Sequence, residues 1–585
     1  FTMTPKQVEG TGTYLGFDLS TQKLKAVQLG EALNIIATAE VKFDTDLPEF
    51  RTTGGVNVGQ QKNEFFVQPV MWVKAVDIVL DRLVVQGADF STVIAIGGSA
   101  QQHGSLFWSR QGIKTLADLD PDKFLHLQID DSAFVLTRTP IWMDGSTEKQ
   151  CLEMETAIGG RNEMVSITGS RCYPRFTGPQ IRKIYQQRTH AYEDTQRISL
   201  ISSFLASIFL GQVAPIDHAD GSGMNLFDIS TKSWSKSCLN ACAPDLEQRL
   251  GEPVRTCTII GNVSNFFVQR FGFPSECKVS AFTGDNPSAL CGMLVDQNWL
   301  VMSLGTSDTV MMNLQVPPKL QEGHVLCHPI EPDQFMGLLC FRNGSLVRDI
   351  LKKVEANNNW DLFNELLDST PRGNYGCMAL HFHSLEIVPN VKGVLRWNNI
   401  AGDQSIFVFH YYRFTSPQAE IRALIEGQML HRRAIAADMG FNFDTKIIAT
   451  GGGSVNRSIL QVISDVFNAP VYIQVEAAVL GAAYRAKYAL YLHTHSQRNS
   501  KTFDSCGENW EHVSYHDYIV QFIPNHLQRV CEPSKDSDVI YGLITQIFTH
   551  SSQFKIKHKG YINCKSILQF NSFFKISKYV YFMVY

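Results

Sequence analysis

Two stretches far apart in this sequence share one layout. Tyr14–Leu29 reads YLGFDLSTQKLKAVQL and Leu300–Leu314 reads LVMSLGTSDTVMMNL. Each is an apolar strand, a turn of acidic and hydroxyl residues, and a returning strand, and a repeated layout predicts a duplicated architecture. Backbone N–H and side-chain O–H groups in such turns can converge on phosphate. A single hairpin of this kind is usually a surface β-turn, but the pair favours one phosphate site in each of two lobes.

Length and composition narrow the class of protein. A chain of 585 residues is too long for one hydrophobic core, so at least two domains are expected. The net charge of -4 and the lack of basic runs argue against a nucleic-acid partner. The thirteen cysteines are scattered without a C-x-x-C pair, which is typical of reduced thiols in the cytoplasm.

Membrane and secretion signals are not visible in the sequence. No signal peptide is recognisable, and the longest apolar stretch, Ile198–Leu210, is too short to span a bilayer. That stretch is predicted to be a buried core helix. We therefore expect a cytoplasmic protein with no membrane partner.

An acidic residue follows a short apolar run in the middle of the chain. Val279–Phe282 ends abruptly at Thr283-Gly284-Asp285-Asn286-Pro287, which predicts a buried strand ending in a tight turn that presents the Asp285 carboxylate. Turns on rigid scaffolds often carry chemistry. An acid shortly before the hydroxyl-rich turn of Leu300–Leu314 suggests phosphoryl transfer to an alcohol. An ordinary strand end is an equally good interpretation of this stretch alone.

Three polar loops are candidates for binding a sugar. The strand Val93–Ile96 stops at GGSAQQHGS, where His103 and two glutamines are expected to read sugar hydroxyls. Arg175, in the loop SRCYPRFTGP, is either a surface charge or a substrate clamp. The polar, glycine-rich segment 215–225, PIDHADGSGMN, is predicted to be an ordered loop near a cleft.

The stretch 446–472 carries the pattern of a nucleotide site. It reads KIIATGGGSVNRSILQVISDVFNAPVY, a strand and a glycine turn leading into a helix, which directs a helix N-terminus at a nucleotide. Neither a P-loop nor the protein-kinase loops occur, so ATP is expected to bind in another way. Trp360 either stacks on a base or anchors the helix Trp360–Leu367, and its spacing favours the anchor.

Together, the two hairpins, the GDN turn and the sequence TGGGSVNRSILQVISDVFNAPVY resemble the FGGY carbohydrate kinases. The segments GGSAQQHGS, SRCYPRFTGPQIRKIYQQ, DGSGMNL and FTGDNPSAL are similar to members of that family that phosphorylate xylulose. The resemblance extends from Tyr14 to Ala486. It implies an α/β chain of two lobes with a duplicated actin-like (ribonuclease H-like) fold and a cleft between them. Residues 12–290 would form the sugar-binding lobe, 291–486 the nucleotide-binding lobe, and 487–585 an atypical tail.

The resemblance also implies an activity, which is the ATP-dependent phosphorylation of D-xylulose to D-xylulose 5-phosphate by a monomer or homodimer. Asp285 would act as general base, and the sugar would contact His103, Arg175, Asp285 and Asn286. ATP and Mg²⁺ are the implied cofactors, with Asp18 on the magnesium side. The nucleotide would contact Asp18, Thr21, Thr306, Ser307, Trp360, Gly452, Gly453 and Asn456. The alternatives are a kinase of ribulose or glycerol, or a non-catalytic actin-like isoform.

Two segments depart from the family pattern. The segment 398–418 is longer than the expected connection and is interpreted as an insertion or a faulty gene model. The tail 487–585 is rich in aromatic residues and lysine and lacks sustained helical periodicity. The tail is therefore predicted to lie outside the catalytic fold and to contribute no site residue.

Overall fold

A computed structural model describes residues 12–318, 322–388, 391–398, 408–410, 413–441, 445–474, 476–501, 513–524 and 527–542. Within these residues the chain divides into two compact units. Unit 1 comprises the described parts of Phe1–Leu294, Val325–Met336 and Glu476–His526. Unit 2 comprises the described parts of Val295–His324, Gly337–Val475 and Leu527–Tyr585.

The strands of the described residues, in chain order, are β1 (Thr13–Leu19), β2 (Lys23–Leu29), β3 (Ile35–Lys42), β4 (Asn57–Val58), β5 (Phe65–Val67), β6 (Val93–Ala100), β7 (Ser105–Trp108), β8 (Thr139–Pro140), β9 (Arg197–Leu200), β10 (Phe227–Asp228), β11 (Ser233–Trp234), β12 (Ile259–Asn262), β13 (Lys278–Ser280), β14 (Thr283–Gly284), β15 (Trp299–Leu304), β16 (Asp308–Leu314), β17 (His324–Cys327), β18 (Phe335–Phe341), β19 (Met378–Phe382), β20 (Gly393–Asn398), β21 (Val408–His410), β22 (Lys446–Thr450), β23 (Val471–Ile473) and β24 (Gln528–Cys531).

The helices are α1 (Phe43–Asp46), α2 (Pro69–Val85), α3 (Arg110–Ala117), α4 (Leu125–Gln128), α5 (Glu148–Ala157), α6 (Arg161–Thr168), α7 (Thr177–Gln187), α8 (Thr189–Asp194), α9 (Ile201–Leu210), α10 (His218–Gly221), α11 (Lys236–Cys242), α12 (Leu246–Leu250), α13 (Asn265–Phe271), α14 (Asp285–Gly292), α15 (Ser345–Glu355), α16 (Trp360–Asp368), α17 (Pro417–Asp438), α18 (Arg457–Phe467), α19 (Ala477–Lys501) and α20 (Tyr515–Val520).

Unit 1 is built on a seven-stranded sheet of order β12-β13-β6-β1-β2-β3, in which β14 also pairs with β6. The predicted first hairpin is present as β1 and β2, which are antiparallel and joined through the turn after Leu19. On its other side β1 runs parallel to β6, and β13 runs parallel to β6 in turn. The hairpin therefore lies inside the sheet, and its turn follows the carboxyl end of β1.

Unit 2 repeats this arrangement in the strands β16-β15-β22-β23-β24 of a second seven-stranded sheet. The second hairpin, β15 and β16, is antiparallel, and β15 runs parallel to β22. β23 then pairs parallel to β22, and β24 pairs antiparallel to β23, as β12 does to β13 in unit 1. The predicted α/β architecture of two duplicated lobes is confirmed.

The apolar residues of the unit 1 helices α2 and α9 are buried in its core. In α2, Trp72, Val76, Val79 and Leu83 recur at helical spacing and are buried against the sheet, while Pro69 stands in the first turn, where its missing N–H costs nothing. The stretch Ile198–Leu210 is mostly a buried helix, as predicted. Its first residues belong to β9, and every residue of α9 is buried.

Helices α14 and α19 cross at an unusually short distance in unit 1. A Cβ on Gly481 would lie 1.9 Å from the carbonyl oxygen of Ser288, and a Cβ on Gly292 would lie 1.9 Å from that of Ala477. Real Cβ atoms do not approach oxygen so closely, so only glycine fits at both positions. The Ser288 hydroxyl also donates to the Ala478 carbonyl at 2.8 Å. Helix α14 is therefore fixed against α19 backbone to backbone.

The chain beyond residue 486 differs from its prediction. Helix α19 continues through the predicted boundary to Lys501. Tyr515 and Ile519 of α20 are buried in the core that contains α19, whereas β24 extends the sheet of unit 2. Tyr541 is fully buried and donates to Glu426 at 2.6 Å. The described parts of the tail, 487–501, 513–524 and 527–542, thus pack into the two units, and the other residues of the tail lie outside the described residues.

The segment 398–418 also contains regular structure where it is described. Asn398 ends β20, and β21 adds to the three-stranded sheet β19-β20-β21. Ser416 then caps α17, its hydroxyl accepting from the Ala419 N–H at 3.4 Å. Residues 399–407 and 411–412 lie outside the described residues. Of the helices within the described residues, none combines the length and apolarity that a bilayer crossing requires.

Candidate active site

Asp285 lies where a strand passes directly into a helix. β14 pairs with the end of β6, with Thr283 opposite Ser99 and Gly284 opposite Ala100. Gly284 is the N-cap of α14 and Asp285 is its first residue. The Asp285 carboxylate accepts from the Asn286 backbone N–H at 2.9 Å and from Asn286 Nδ2 at 3.2 Å. The expected turn is thus the first turn of a helix, which holds the carboxylate more firmly than a loop.

Two carboxylates of unit 1 repel each other. Burial first, and then the negative charge of Asp18, together raise the pKa of Asp285 to about 7. Burial also raises the pKa of Asp18, against hydrogen bonds from the hydroxyls of Ser20 and Ser99, the latter at 2.8 Å. A carboxylate with a pKa near neutrality can accept a proton under physiological conditions, which is the property of a general base.

His103 is held as a neutral acceptor. It follows β6 in a left-handed backbone conformation, with φ of 70°. Burial first, and then the positive charge of Arg175, together lower its pKa to about 3. Its Nδ1 lies 2.9 Å from the Gly223 carbonyl oxygen. Because a carbonyl only accepts, the proton sits on Nδ1, and Nε2 is an acceptor suited to a hydroxyl group.

Arg175 and His103 both contact the ring of Phe176. The His103 ring stacks on Phe176 with the ring centres 4.3 Å apart. The Arg175 guanidinium lies 5.1 Å from the ring centre of Tyr173 and 5.9 Å from that of Phe176. Arg171 instead lies over Tyr173 at 3.9 Å and donates to its neighbour's carbonyl. The structure therefore brings Arg175, His103, Asp285 and Asn286 into unit 1, and their substrate roles stay predictions.

Two further side chains support this cluster: Gln102, one of the two glutamines expected to read sugar hydroxyls, and Asp220, which was given no role from the sequence. Gln102 accepts from Asn286 Nδ2 at 3.0 Å and donates to Asp220 Oδ1 at 3.3 Å. Asp220 belongs to the segment 215–225, which was predicted to be an ordered loop and in which residues His218–Gly221 form the helical turn α10, capped by Asp217. Both lie in stretches that the sequence marks as polar and glycine-rich. Their pairing joins residues far apart in the chain, and no local pattern reveals it.

The first hairpin turn carries Asp18 and Thr21. Asp18 stands just before the end of β1, and the Ser20 N–H donates to the Lys23 carbonyl to close the turn. Thr21 is partly exposed, and its hydroxyl accepts from the indole N–H of Trp142 at 2.9 Å. Thr21 is thus oriented by an aromatic residue, and its predicted contact with nucleotide stays a prediction.

The second hairpin turn stands on a buried ion-pair cluster of unit 2. Thr306 is exposed and Ser307 is partly exposed between β15 and β16. Asp308 is fully buried, with its carboxylate 2.7 Å from Arg348 Nη2 and 2.7 Å from Arg432 Nη2. Two charge-assisted partners hold the residue that follows the turn, so the turn is rigid where phosphate would bind.

The glycine turn of unit 2 packs beside that hairpin. Gly451 has φ of 81°, a conformation that favours glycine, and its Cβ position lies 2.9 Å from the Leu304 carbonyl oxygen. A Cβ on Gly453 would meet the Leu304 side chain at 2.8 Å, whereas one on Gly452 would meet nothing within 4 Å. Gly452 therefore borders open space next to the end of β15.

Asn456 and Trp360 belong to neighbouring helices of unit 2. Asn456 caps α18 by accepting from the Ile459 N–H at 3.1 Å, and its Nδ2 donates to Asn364 of α16 at 2.8 Å. Trp360 begins α16, is partly exposed and packs on Phe363 at 5.2 Å. These contacts fit the anchor interpretation of Trp360. They also put Trp360 and Asn456 on paired helices, and their contact with nucleotide stays a prediction.

Comparison with known protein families decides the relationship. The model of the N-terminal domain of FGGY carbohydrate kinases matches residues 126–292, and the model of the C-terminal domain matches residues 300–490. The chain belongs to the FGGY family of carbohydrate kinases.

Individual FGGY relatives cover most of the chain. A rat protein named xylulose kinase is 46% identical over 480 residues, covering 81% of this chain and 88% of the relative. Xylulose kinase 2 of Arabidopsis thaliana is 43% identical over 486 residues, covering 81% and 87%. The crystal structure of a xylulose kinase from Rhodospirillum rubrum has a TM-score of 0.71 at 14% identity, covering 92% of this chain and 97% of its own, and supports the fold.

Proposed function

We propose that this FGGY kinase transfers the γ-phosphoryl group of ATP to the terminal hydroxyl of D-xylulose, giving D-xylulose 5-phosphate and ADP. Relatives named xylulose kinase support the choice of sugar. The observation that carries the chemistry is Asp285, a carboxyl with a pKa of about 7 fixed at the start of α14.

Asp285 removes the proton of the attacking hydroxyl. As the hydroxyl oxygen bonds to phosphorus and the bond from phosphorus to the ADP oxygen breaks, the proton passes to the Asp285 carboxylate. A base with a pKa near the working pH is ionised in a large share of molecules and still basic enough to accept. Most of the remaining acceleration in phosphoryl transfer comes from positioning and from neutralising charge.

The sugar is oriented by groups of complementary hydrogen-bonding character. His103 Nε2 accepts from a hydroxyl, since Nδ1 donates to Gly223. The Arg175 guanidinium donates, which suits the carbonyl oxygen of an open-chain ketose. Asn286 lies next to the base, so the hydroxyl it holds is near the reacting one.

The nucleotide is bound by groups of unit 2. The exposed Thr306 and the partly exposed Ser307 offer hydroxyl and N–H donors for phosphate oxygens. Gly452 borders open space and lets a ligand approach the backbone. The N-terminus of α18 adds partial positive charge. Trp360 takes the base on its exposed surface.

Mg²⁺ fits the chemistry around Asp18. Two carboxylates that repel each other, Asp18 and Asp285, form a site that a divalent cation would relieve. Magnesium is usually held by one or two carboxylates together with substrate phosphates. Asp18 would hold the ion, which supplies neutralisation of phosphate charge. Burial raises the pKa of Asp18, and the hydroxyls of Ser20 and Ser99 together with the charges of Lys23 and Lys25 oppose that rise.

The test is a coupled assay of ADP release over a panel of D-xylulose, D-ribulose, L-ribulose, L-xylulose and glycerol. We expect the highest kcat/KM with D-xylulose. A markedly higher kcat/KM with glycerol or a ribulose would contradict the assignment. The relatives do not favour those kinases or a non-catalytic isoform. A cytoplasmic location and a monomer or homodimer stay predictions.

A further inference from the structure

Three side chains of unit 1 form a hydrogen-bonded chain behind the proposed sugar site. Gln102 Nε2 donates to Asp220 Oδ1 at 3.3 Å, and Asn286 Nδ2 donates to Gln102 Oε1 at 3.0 Å. Asp220 is 1% exposed and Gln102 is 3% exposed, so water does not substitute for these contacts. We call this chain, Asp220–Gln102–Asn286, the amide relay.

Asp220 determines which end of each carboxamide in the relay donates and which end accepts. Its Oδ2 accepts from the Ser202 hydroxyl at 2.6 Å, and its Oδ1 is the acceptor facing Gln102. A carboxamide has one donor end and one acceptor end. Gln102 therefore turns its NH₂ to Asp220 and its oxygen to Asn286. The reverse orientation would put two acceptors together in a buried place, which is costly.

The orientation of Gln102 in turn determines the orientation of the Asn286 carboxamide. Facing the oxygen of Gln102, Asn286 must present its NH₂, whose second hydrogen reaches Asp285 Oδ1 at 3.2 Å. Both hydrogens of Asn286 are thus used within the protein. Its Oδ1 is the atom left for a ligand, and among the described residues no donor reaches it.

We propose that Asp220 is a positioning residue that, through Gln102, fixes the Asn286 carboxamide with its carbonyl oxygen toward the sugar. Asn286 then recognises a sugar hydroxyl and rejects a carbonyl oxygen at the same place. This inference rests on the proposed function, because it assumes that Asn286 contacts the sugar. It agrees with His103, which the same turn holds as an acceptor through the Gly223 carbonyl.

The relay is tested by a double-mutant cycle of Asp220→Leu and Gln102→Met, two substitutions of similar volume that remove the polar groups. Each single variant should raise the KM for the preferred sugar about ten-fold, which corresponds to about one hydrogen bond, or 1.4 kcal/mol. The KM for ATP should stay within about two-fold. The double variant should resemble either single one, because groups acting in series are strongly non-additive.

Two further variants distinguish a positioning role of Asp220 from a general loss of structure. Asp220→Asn keeps a carbonyl oxygen that can accept from Gln102, and its NH₂ can face the Ser202 hydroxyl, which can accept, so this variant should restore most of the sugar affinity lost in Asp220→Leu. Ser203→Ala is the control, since the buried hydroxyl of Ser203 donates to the nearby Leu200 carbonyl at 3.2 Å and contacts no member of the amide relay among the described residues. This control should match the wild type in the KM for sugar.

A second measurement does not depend on how well Asp220→Leu folds. Binding of monodeoxy analogues of the preferred sugar is followed by thermal shift without ATP. The analogue that lacks the hydroxyl held by Asn286 should bind the wild type about ten-fold more weakly than the full sugar does. Gln102→Met should bind this analogue and the full sugar equally well. An equal loss in both proteins, or a double variant with a KM raised about a hundred-fold, would overturn the relay. A wild type inactive on D-xylulose but active on another sugar would instead refute the proposed substrate.

Discussion

Replacing Asp285 by asparagine should strongly lower kcat and at the same time stabilise the protein. Asp285→Asn keeps the volume and an oxygen for the Asn286 N–H, but it removes the proton acceptor and the charge that Asp18 repels. Loss of a general base typically costs 10²- to 10⁴-fold in kcat. The sugar should still bind, because the other contacts remain.

The gain in stability follows from the sign of the pKa shift. Folding raises the pKa of Asp285 from 3.8 to about 7, so the folded state disfavours the ionised form. The penalty is absent below the unfolded pKa, grows as pH rises and is complete above about 7. At about 1.4 kcal/mol for each pKa unit, the upper bound is about 4 kcal/mol. Because the side chain is partly exposed, solvent screening reduces this to about 2 kcal/mol.

The assay compares thermal melting of the wild type and Asp285→Asn at pH 5 and pH 8. The variant should melt about 2 to 4 °C higher at pH 8, with a smaller difference at pH 5. Asp122→Asn, which replaces an exposed aspartate, is the control and should show no pH-dependent difference. A variant less stable than the wild type at pH 8, or a difference independent of pH, would refute the argument from burial and repulsion.

Three other outcomes are expected. The kcat/KM for sugar should rise with pH around an apparent pKa of about 7. Asp18→Asn should lower that apparent pKa in the residual activity, because it removes a neighbouring negative charge. An unshifted pH profile would mean that the charge of Asp18 does not affect the pKa of Asp285. Arg348→Met leaves Asp308 buried with one partner fewer and should cost about 3 to 5 kcal/mol in urea unfolding, so a change below about 1 kcal/mol would contradict the role of the cluster. Tyr541→Phe removes the hydrogen bond to Glu426 and should cost about 1 to 3 kcal/mol; an unchanged melting curve would mean that the tail does not support unit 2.

The parts of the fold that the sequence predicted are those with a local pattern. Both hairpins combine an apolar run with a hydroxyl-rich turn, and their strands end within a residue or two of the expected positions. The glycine turn and helix of 446–472 likewise follow from adjacent residues. Local chemistry of this kind is visible because the residues that interact are neighbours in the chain.

The parts that were missed depend on distant partners. Asp308 looks like one more polar residue of a turn, yet Arg348 and Arg432, from two separate helices, bury it completely. Asp220 and Gln102 join in the same non-local way. The strand β24 has four residues and no clear alternation, and only its pairing with β23 makes it part of the sheet. The predicted boundary at residue 486 rests on composition and on the end of the family resemblance, and neither of these reveals such a distant partner.

The crossing of α14 and α19 fixes the position of the proposed general base. Two backbones touch at Gly292 and Gly481 with no side chain between them, so their separation is fixed by atomic radii rather than by adaptable packing. Asp285 is the first residue of α14, so the contact between the two helices fixes the position of its backbone. Selection for activity should thus leave both glycines invariant, although neither belongs to the proposed reaction. In a mutational scan they would look like active-site residues.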